Sequence, residues 1–182
     1  MAAPEQVPDP FVHAGPWTEQ DWLDLPTEQH VELVDGALVM SPRASNPHQR
    51  LAYRTWGALD AGATVGWDVL GEPNVRVGID RVLIPDVAVI ARADMAAAMN
   101  DAADVALVVE VVSPGNAAYD RILKPRLYAE AGVRWYLRIE QDGPVGHLHE
   151  LDGASYREVA QGPVVGLTAP FPVTLDLPHL AR

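Results

Sequence analysis

Ile84-Pro-Asp-Val-Ala-Val-Ile-Ala91 and Ala106-Leu-Val-Val-Glu-Val-Val112 are the two stretches that decide how this chain folds. Both are near-continuous, Val-rich aliphatic runs, the pattern of central strands covered on both faces. Each carries one carboxylate, Asp86 at the start of the first run and Glu110 near the end of the second. Side chains alternate across a strand, so Asp86, Ala88 and Ile90 share one face of theirs, and Ala106, Val108, Glu110 and Val112 one face of the other. If the strands are antiparallel neighbours, the start of one lies beside the end of the other and the carboxylates meet. Ionised carboxylates among aliphatic side chains are costly to bury unless a cation or a positive side chain compensates. A divalent ion suits this role, since Mg²⁺ or Mn²⁺ is held by one or two carboxylates with a backbone carbonyl and retained water.

Working outward, Pro114-Gly115 breaks the second strand, and Asn116 is placed to cap a helix reaching about Ala131 and closed by Gly132. Pro125 inside that helix implies a kink or a late start. Asp120, Lys124 and Tyr128 recur at four-residue spacing and share a helix face that can fold back over the strand ends. A lysine there can orient or deprotonate a water and steady negative charge building on phosphorus, which points to phosphodiester hydrolysis. Arg134 to Ile139 reads as a further strand, followed by hairpins turning at Asp142-Gly143-Pro144 and Asp152-Gly153.

Upstream, residues 65–70 and 74–79 carry strand signals, with a turn at Asp80-Arg81. Asn46 as N-cap and Pro47 announce a helix ending near Gly62, with Leu51, Thr55, Trp56 and Leu59 inward. Val31–Val34 and Ala37–Met40 flank Asp35-Gly36, a dipeptide suited to a two-residue hairpin turn. Thr18 and Asp21 form a capping box for a short helix that Pro26 stops. Residues 1–16 read as a loose arm, and 17–182 as one α/β (α+β) domain with a mixed central sheet, flanking helices and extra hairpins.

Composition narrows the function. No apolar run approaches the roughly 20 residues that span a bilayer, and residues 1–10 are acidic and proline-rich where a secretory signal needs a basic start, so the expectation is a cytoplasmic protein without membrane contact. The absence of cysteine excludes disulfides and thiolate metal sites. A formal charge of −12 sits awkwardly with nucleic-acid binding, and reconciling the two requires Arg43, Arg50, Arg54, Arg121, Lys124 and Arg126 to gather on one side. His147 and His149 point the same way along a strand but lack a third ligand, and are read as surface hairpin residues. Ser113 lacks the glycines and base of a nucleophile elbow, and no glycine-rich phosphate loop is present.

Taken in order, Glu32 in Val-Glu-Leu-Val-Asp-Gly, His48, Ile-Pro-Asp86, Val-Val-Glu110-Val-Val-Ser-Pro, Asp120 with Lys124, and Tyr128-Ala-Glu-Ala-Gly-Val resemble the Uma2 family of the PD-(D/E)XK nuclease superfamily. The resemblance, which runs from about Trp17 to Ile139, implies a restriction-endonuclease-like fold and a Mg²⁺- or Mn²⁺-dependent endonuclease. It implies that Asp86 and Glu110 are the acidic pair, with the Val111 carbonyl and Glu32 as further ligands. The superfamily places a lysine two residues after the second acid, where this chain has Val112, and the resemblance assigns the missing ammonium to Lys124. His48, Asp120 and Tyr128 are the supporting residues. DNA is then the expected substrate and a homodimer the expected assembly. Two competitors stay open: a noncatalytic module binding nucleic acid or protein on the same fold, and a metal-dependent hydrolase acting on something smaller than DNA.

Overall fold

The structure, a computed structural model, describes residues 11–26, 30–41, 43–112 and 118–182. Much of the expected arm, together with Ser113, the Pro114-Gly115 break and the Asn116 cap, lies outside the described residues.

Glu19–Leu23 (α1) opens with Thr18 and Asp21 in the expected reciprocal capping box. Val31–Val34 (β1) and Ala37–Met40 (β2) pair with Val34 opposite Ala37, and the turn residues Asp35 and Gly36 take φ of 50° and 79°. Asn46–Gly62 (α2) is capped by Ser45, not Asn46: the Ser45 hydroxyl accepts from the His48 N–H at 3.4 Å. Leu51, Thr55 and Leu59 are buried as expected, whereas Trp56 stays 37% exposed while its indole donates to the Val69 carbonyl at 2.8 Å. Replacing Leu51 or Leu59 by alanine should cost about 2–5 kcal/mol.

Trp67–Gly71 (β3), Val75–Gly78 (β4), Arg81–Leu83 (β5) and Val87–Ala91 (β6) follow. The aliphatic run expected as one strand over 84–91 therefore starts three residues late. Pro85 lacks a ladder donor and restricts Ile84 to extended backbone. Ile84-Pro85-Asp86 is instead the crossing from one sheet, through β5, to another, through β6. Asn100–Asp101 (β7) and Val105–Val112 (β8) precede a helix that starts as a π turn over Tyr119–Leu123 and continues as Lys124–Glu130 (α3), with Pro125 in the first α turn. Trp135–Glu140 (β9), Val145–Asp152 (β10), Ser155–Gly162 (β11), Val164–Leu167 (β12), Val173–Asp176 (β13) and Leu177–Leu180 (α4) complete the chain.

The main sheet runs β11-β10-β9-β8-β6-β3, and a second runs β2-β1-β5-β4-β7. β6 and β8 are antiparallel, with Val87 opposite Val109 and Ala88 opposite Val108; one step further sets Asp86 opposite Glu110. β8 and β9 are parallel, with Glu110 beside Arg138. Alternation sends Val87, Val89, Leu107, Val109 and Val111 into one core with α2, and Ala88, Ile90 and Val108 into another with α3 and the second sheet. This is a mixed α+β fold with mixed sheets flanked by few helices. No helix among the described residues is long and apolar enough to cross a membrane.

Candidate active site

Three charged side chains meet where the two sheets and α3 converge. Glu110 comes from β8, Glu32 from β1 and Lys124 from the first turn of α3, and their exposures are 3%, 4% and 6%. The Lys124 Nζ lies 3.0 Å from Glu110 Oε1 and 3.1 Å from Glu32 Oε1, and donates to the Ile84 carbonyl at 3.4 Å. Tyr128 donates to Glu110 Oε1 at 2.8 Å, and the Ile84 N–H to Glu32 Oε1 at 2.7 Å. Ile84 thus serves both groups because Pro85 holds it extended at the seam between the sheets. Glu32 Oε2 is buried with no hydrogen-bond partner. The π turn brings the Tyr119 ring to 5.6 Å from the ammonium, within cation–π range.

Asp86 and His48 form the second half of the site. Asp86 Oδ2 accepts the Val111 N–H at 2.7 Å and sits 3.3 Å from His48 Nε2. Burial disfavours a charged His48, but the Asp86 carboxylate and the Val111 backbone outweigh it, so the imidazole holds its proton above the ordinary histidine range. Asp120 is buried beside them, and its backbone carbonyl accepts from the Tyr136 hydroxyl at 2.7 Å.

The electrostatics of the group are lopsided. Burial pushes Glu110 well above the usual carboxylate range; Lys124 pulls it back while Asp86, Glu32 and Asp120 push it up further. Burial favours the neutral amine of Lys124, but Glu110, Glu32, Asp120 and Asp86 hold the ammonium well above its ordinary value. Four carboxylates face one ammonium and one imidazole. The group is rich in carboxylate oxygen, and Lys124 is the ammonium in direct contact with two of its members. The oxygen donors Asp86 and Glu110 are of the hard type that Mg²⁺ and Mn²⁺ favour. Among the described residues no three Asp, Glu or His side chains form a ready cage, so the fit is to a two-carboxylate site completed by a carbonyl and water.

Asp86, Glu110, Lys124, Glu32, Val111, His48, Asp120 and Tyr128 all lie in this region, although Asp86 and Glu110 act through different partners. The spacing argument for Asp120, Lys124 and Tyr128 holds in outcome, since all three are buried, though the π turn separates Asp120 from the α-helical pair. Tyr119, Ile84 and Arg138 were missed. Arg138 could have been found by running β8 and β9 parallel, as strands joined by a helix commonly do. Two expectations need correction. The basic residues do not gather: Arg50 and Arg54 reach the Arg182 and Leu180 carbonyls from α2, Arg121 and Arg126 lie with the helix on the other side of the main sheet, and Lys124 is buried. His147 and His149 do lie on the β10–β11 hairpin, but half-buried around Glu158 and not fully open to solvent, and His149 packs on Tyr136 and Tyr156.

Asp86 lies at an opening to the outside. His48, Asp86, Tyr53, Trp56 and Glu72 line a cavity of about 70 Å³, and Tyr53, Trp56 and Glu72 also border a larger one of about 450 Å³.

The fold is that of a solved structure from Anabaena variabilis described as "a putative nuclease belonging to DUF820": TM-score 0.74 at 16% identity, covering 92% of this chain and 100% of that one. The chain belongs to the Uma2 family, whose model, described as "Putative restriction endonuclease", matches residues 17–179. Comparison with curated proteins gives no match.

Proposed function

We propose that this protein is a divalent-metal-dependent endonuclease that hydrolyses phosphodiester bonds in nucleic acid. The observation that carries the reading is the placement of Asp86, one residue before β6, against the end of β8 that holds Glu110, with its Oδ2 accepting the Val111 N–H and its side chain lining a cavity. Family membership supports the nuclease class.

Asp86, Glu110 and the Val111 carbonyl would hold Mg²⁺ or Mn²⁺. The bound ion supplies Lewis acidity and neutralises charge on the phosphate. Glu32, anchored by the Ile84 N–H, positions Lys124. The elevated Lys124 pKa keeps the ammonium charged, so it steadies developing negative charge instead of abstracting a proton. Tyr128 fixes the Glu110 carboxylate, and His48, 3.3 Å from Asp86, sets that side chain's orientation.

A noncatalytic binding module is the second reading, favoured by one observation: the Lys124 ammonium already bridges both glutamates. Calorimetric titration of Mn²⁺ and Mg²⁺ into the wild type and Glu110→Ala, followed by cleavage of plasmid and single-stranded DNA, separates the two. The nuclease reading expects metal binding and cleavage that are both lost in the variant. A wild type that binds no metal, even with DNA present, sinks it in favour of the binding module.

A further inference from the structure

A third cavity, of about 270 Å³, lies between the α3 helix and the β10–β11 hairpin, and Arg121, Arg126, Arg138, His149, Tyr136 and Tyr156 line it. Three guanidinium groups around one cavity are conspicuous in a chain of net charge −12. Among the described residues two glutamates pair directly with them, while Asp120 and Glu158 act on Arg121 and Arg138 at longer range. Arg121 and Arg138 share Glu140, at 2.6 Å and 3.2 Å, and Arg126 takes Glu130 at 2.7 Å. The Arg138 Nε has no hydrogen bond of acceptable geometry although it is buried, and its side chain is only 18% exposed. A half-buried guanidinium with donors to spare calls for an anion, and its planar fork matches phosphate or carboxylate.

The rest of the lining selects among anions. The Tyr136 and Tyr156 rings stack at 5.5 Å with 26° between their planes, and His149 lies 5.7 Å from Tyr136. The hydroxyls are already used, by the Asp120 and Val133 carbonyls, and Tyr136 is buried beneath its neighbours, so the planes left to a ligand are those of the partly buried Tyr156 and His149. Burial, with Arg138 nearby, lowers the His149 pKa and keeps that ring neutral and suited to stacking. Planar rings beside a guanidinium cluster bind a planar anionic molecule, and the volume, at the small end of ligand pockets, has room for one nucleotide and none for a duplex. Arg138 stands beside Glu110 in the parallel register, so cavity and carboxylates share one face of the main sheet.

We propose that this cavity binds a single nucleotide, with its phosphate on Arg138, Arg121 and Arg126 and its base against the tyrosine and histidine rings. The nucleotide is either free or one unit of a single strand; the strand case rests on the nuclease reading, and the free case does not. The test is run on the full chain in EDTA, so that binding is separated from any metal chemistry. AMP and adenosine are titrated by calorimetry, and a 5′-fluorescein oligo-dT by anisotropy, into wild type, Arg138→Gln and Arg126→Glu. Arg126 is 69% exposed, so its substitution leaves the fold intact even where Arg138→Gln lowers the melting temperature. The expected result is binding of AMP or of the oligonucleotide that Arg138→Gln weakens at least tenfold and Arg126→Glu several-fold, with adenosine much weaker than AMP. AMP binding identifies a free nucleotide as ligand; oligonucleotide binding without AMP binding identifies a strand unit. Adenosine equal to AMP, affinities untouched by both substitutions, or no binding of either probe overturns the proposal. Asp86→Asn removes the proposed metal site and should leave this binding unchanged, so failure of the nuclease reading is seen separately.

Discussion

Lys124 and Arg76 are each a cation clasped by two carboxylates, and the molecule treats them in opposite ways. Arg76, on β4, ties Glu19 at 2.6 Å and Asp101 at 2.6 Å, and its side chain is 39% exposed. Lys124 ties Glu110 and Glu32 at longer distances, yet is almost wholly enclosed. In the exposed triad water screens every charge and replaces any lost partner, so the better geometry is worth little. In the buried triad no water replaces a lost partner, and the shifts in Glu110 and Lys124 show each group held by the other. Two further carboxylates and an imidazole crowd the buried triad, which is why the proposed metal site is sought there; the exposed triad is a surface staple.

The sharpest way to break this contrast is Lys124→Ala. It leaves two buried glutamates facing each other, and about 3–5 kcal/mol of unfolding free energy should be lost in urea titrations. A loss below about 1 kcal/mol would mean that water already reaches the triad, and the two clusters would then differ only in geometry. Metal addition is the next largest test. A cation that binds only the folded protein adds about 2.7 kcal/mol at a hundredfold excess over its dissociation constant. Mn²⁺ should therefore raise the melting temperature of the wild type and of Arg76→Gln, but not of Glu110→Gln. A third test is Tyr128→Phe, which removes a buried hydrogen bond to the Glu110 carboxylate and should cost about 1.5–3 kcal/mol by chemical denaturation, with no change in secondary structure by circular dichroism.

The buried triad was legible in the sequence to the extent that it rests on alternation. Two aliphatic strands with one carboxylate each, assumed antiparallel, set Asp86 against Glu110, and the observed register agrees. The hairpin at Asp35-Gly36 was equally readable, because positive φ at two consecutive residues narrows the choice of side chains. What could not be read was set by long-range contacts. The split of the first run at Pro85 depends on β5 finding β1 and β4 in a second sheet, a pairing no local signal encodes. The π turn at Tyr119–Leu123 has no period of its own in the sequence, so Tyr119 escaped a search at four-residue spacing. The gathering of basic residues failed for a related reason: charge composition carries no information about which helix packs on which face of the sheet.

Arg76→Gln is the smallest effect and the one that defines the surface member of the pair. Removing the guanidinium should cost about 0.2–1 kcal/mol near neutral pH, less at high salt. Its signature lies in the acid limb. The hydrogen bonds from Arg76 are the main cause of a Glu19 pKa below the ordinary 4.5. A carboxylate depressed in the folded state contributes stability that is complete above its unfolded pKa and is lost as pH falls through the folded one. Wild-type stability should therefore decline as the pH drops below about 4.5, and Arg76→Gln should decline less steeply over that window, because its Glu19 has nothing to lose. Parallel acid limbs for the two proteins, followed by denaturation from pH 6 to pH 3, would show that Glu19 is held by something other than Arg76, and the comparison with Lys124 would lose its surface half.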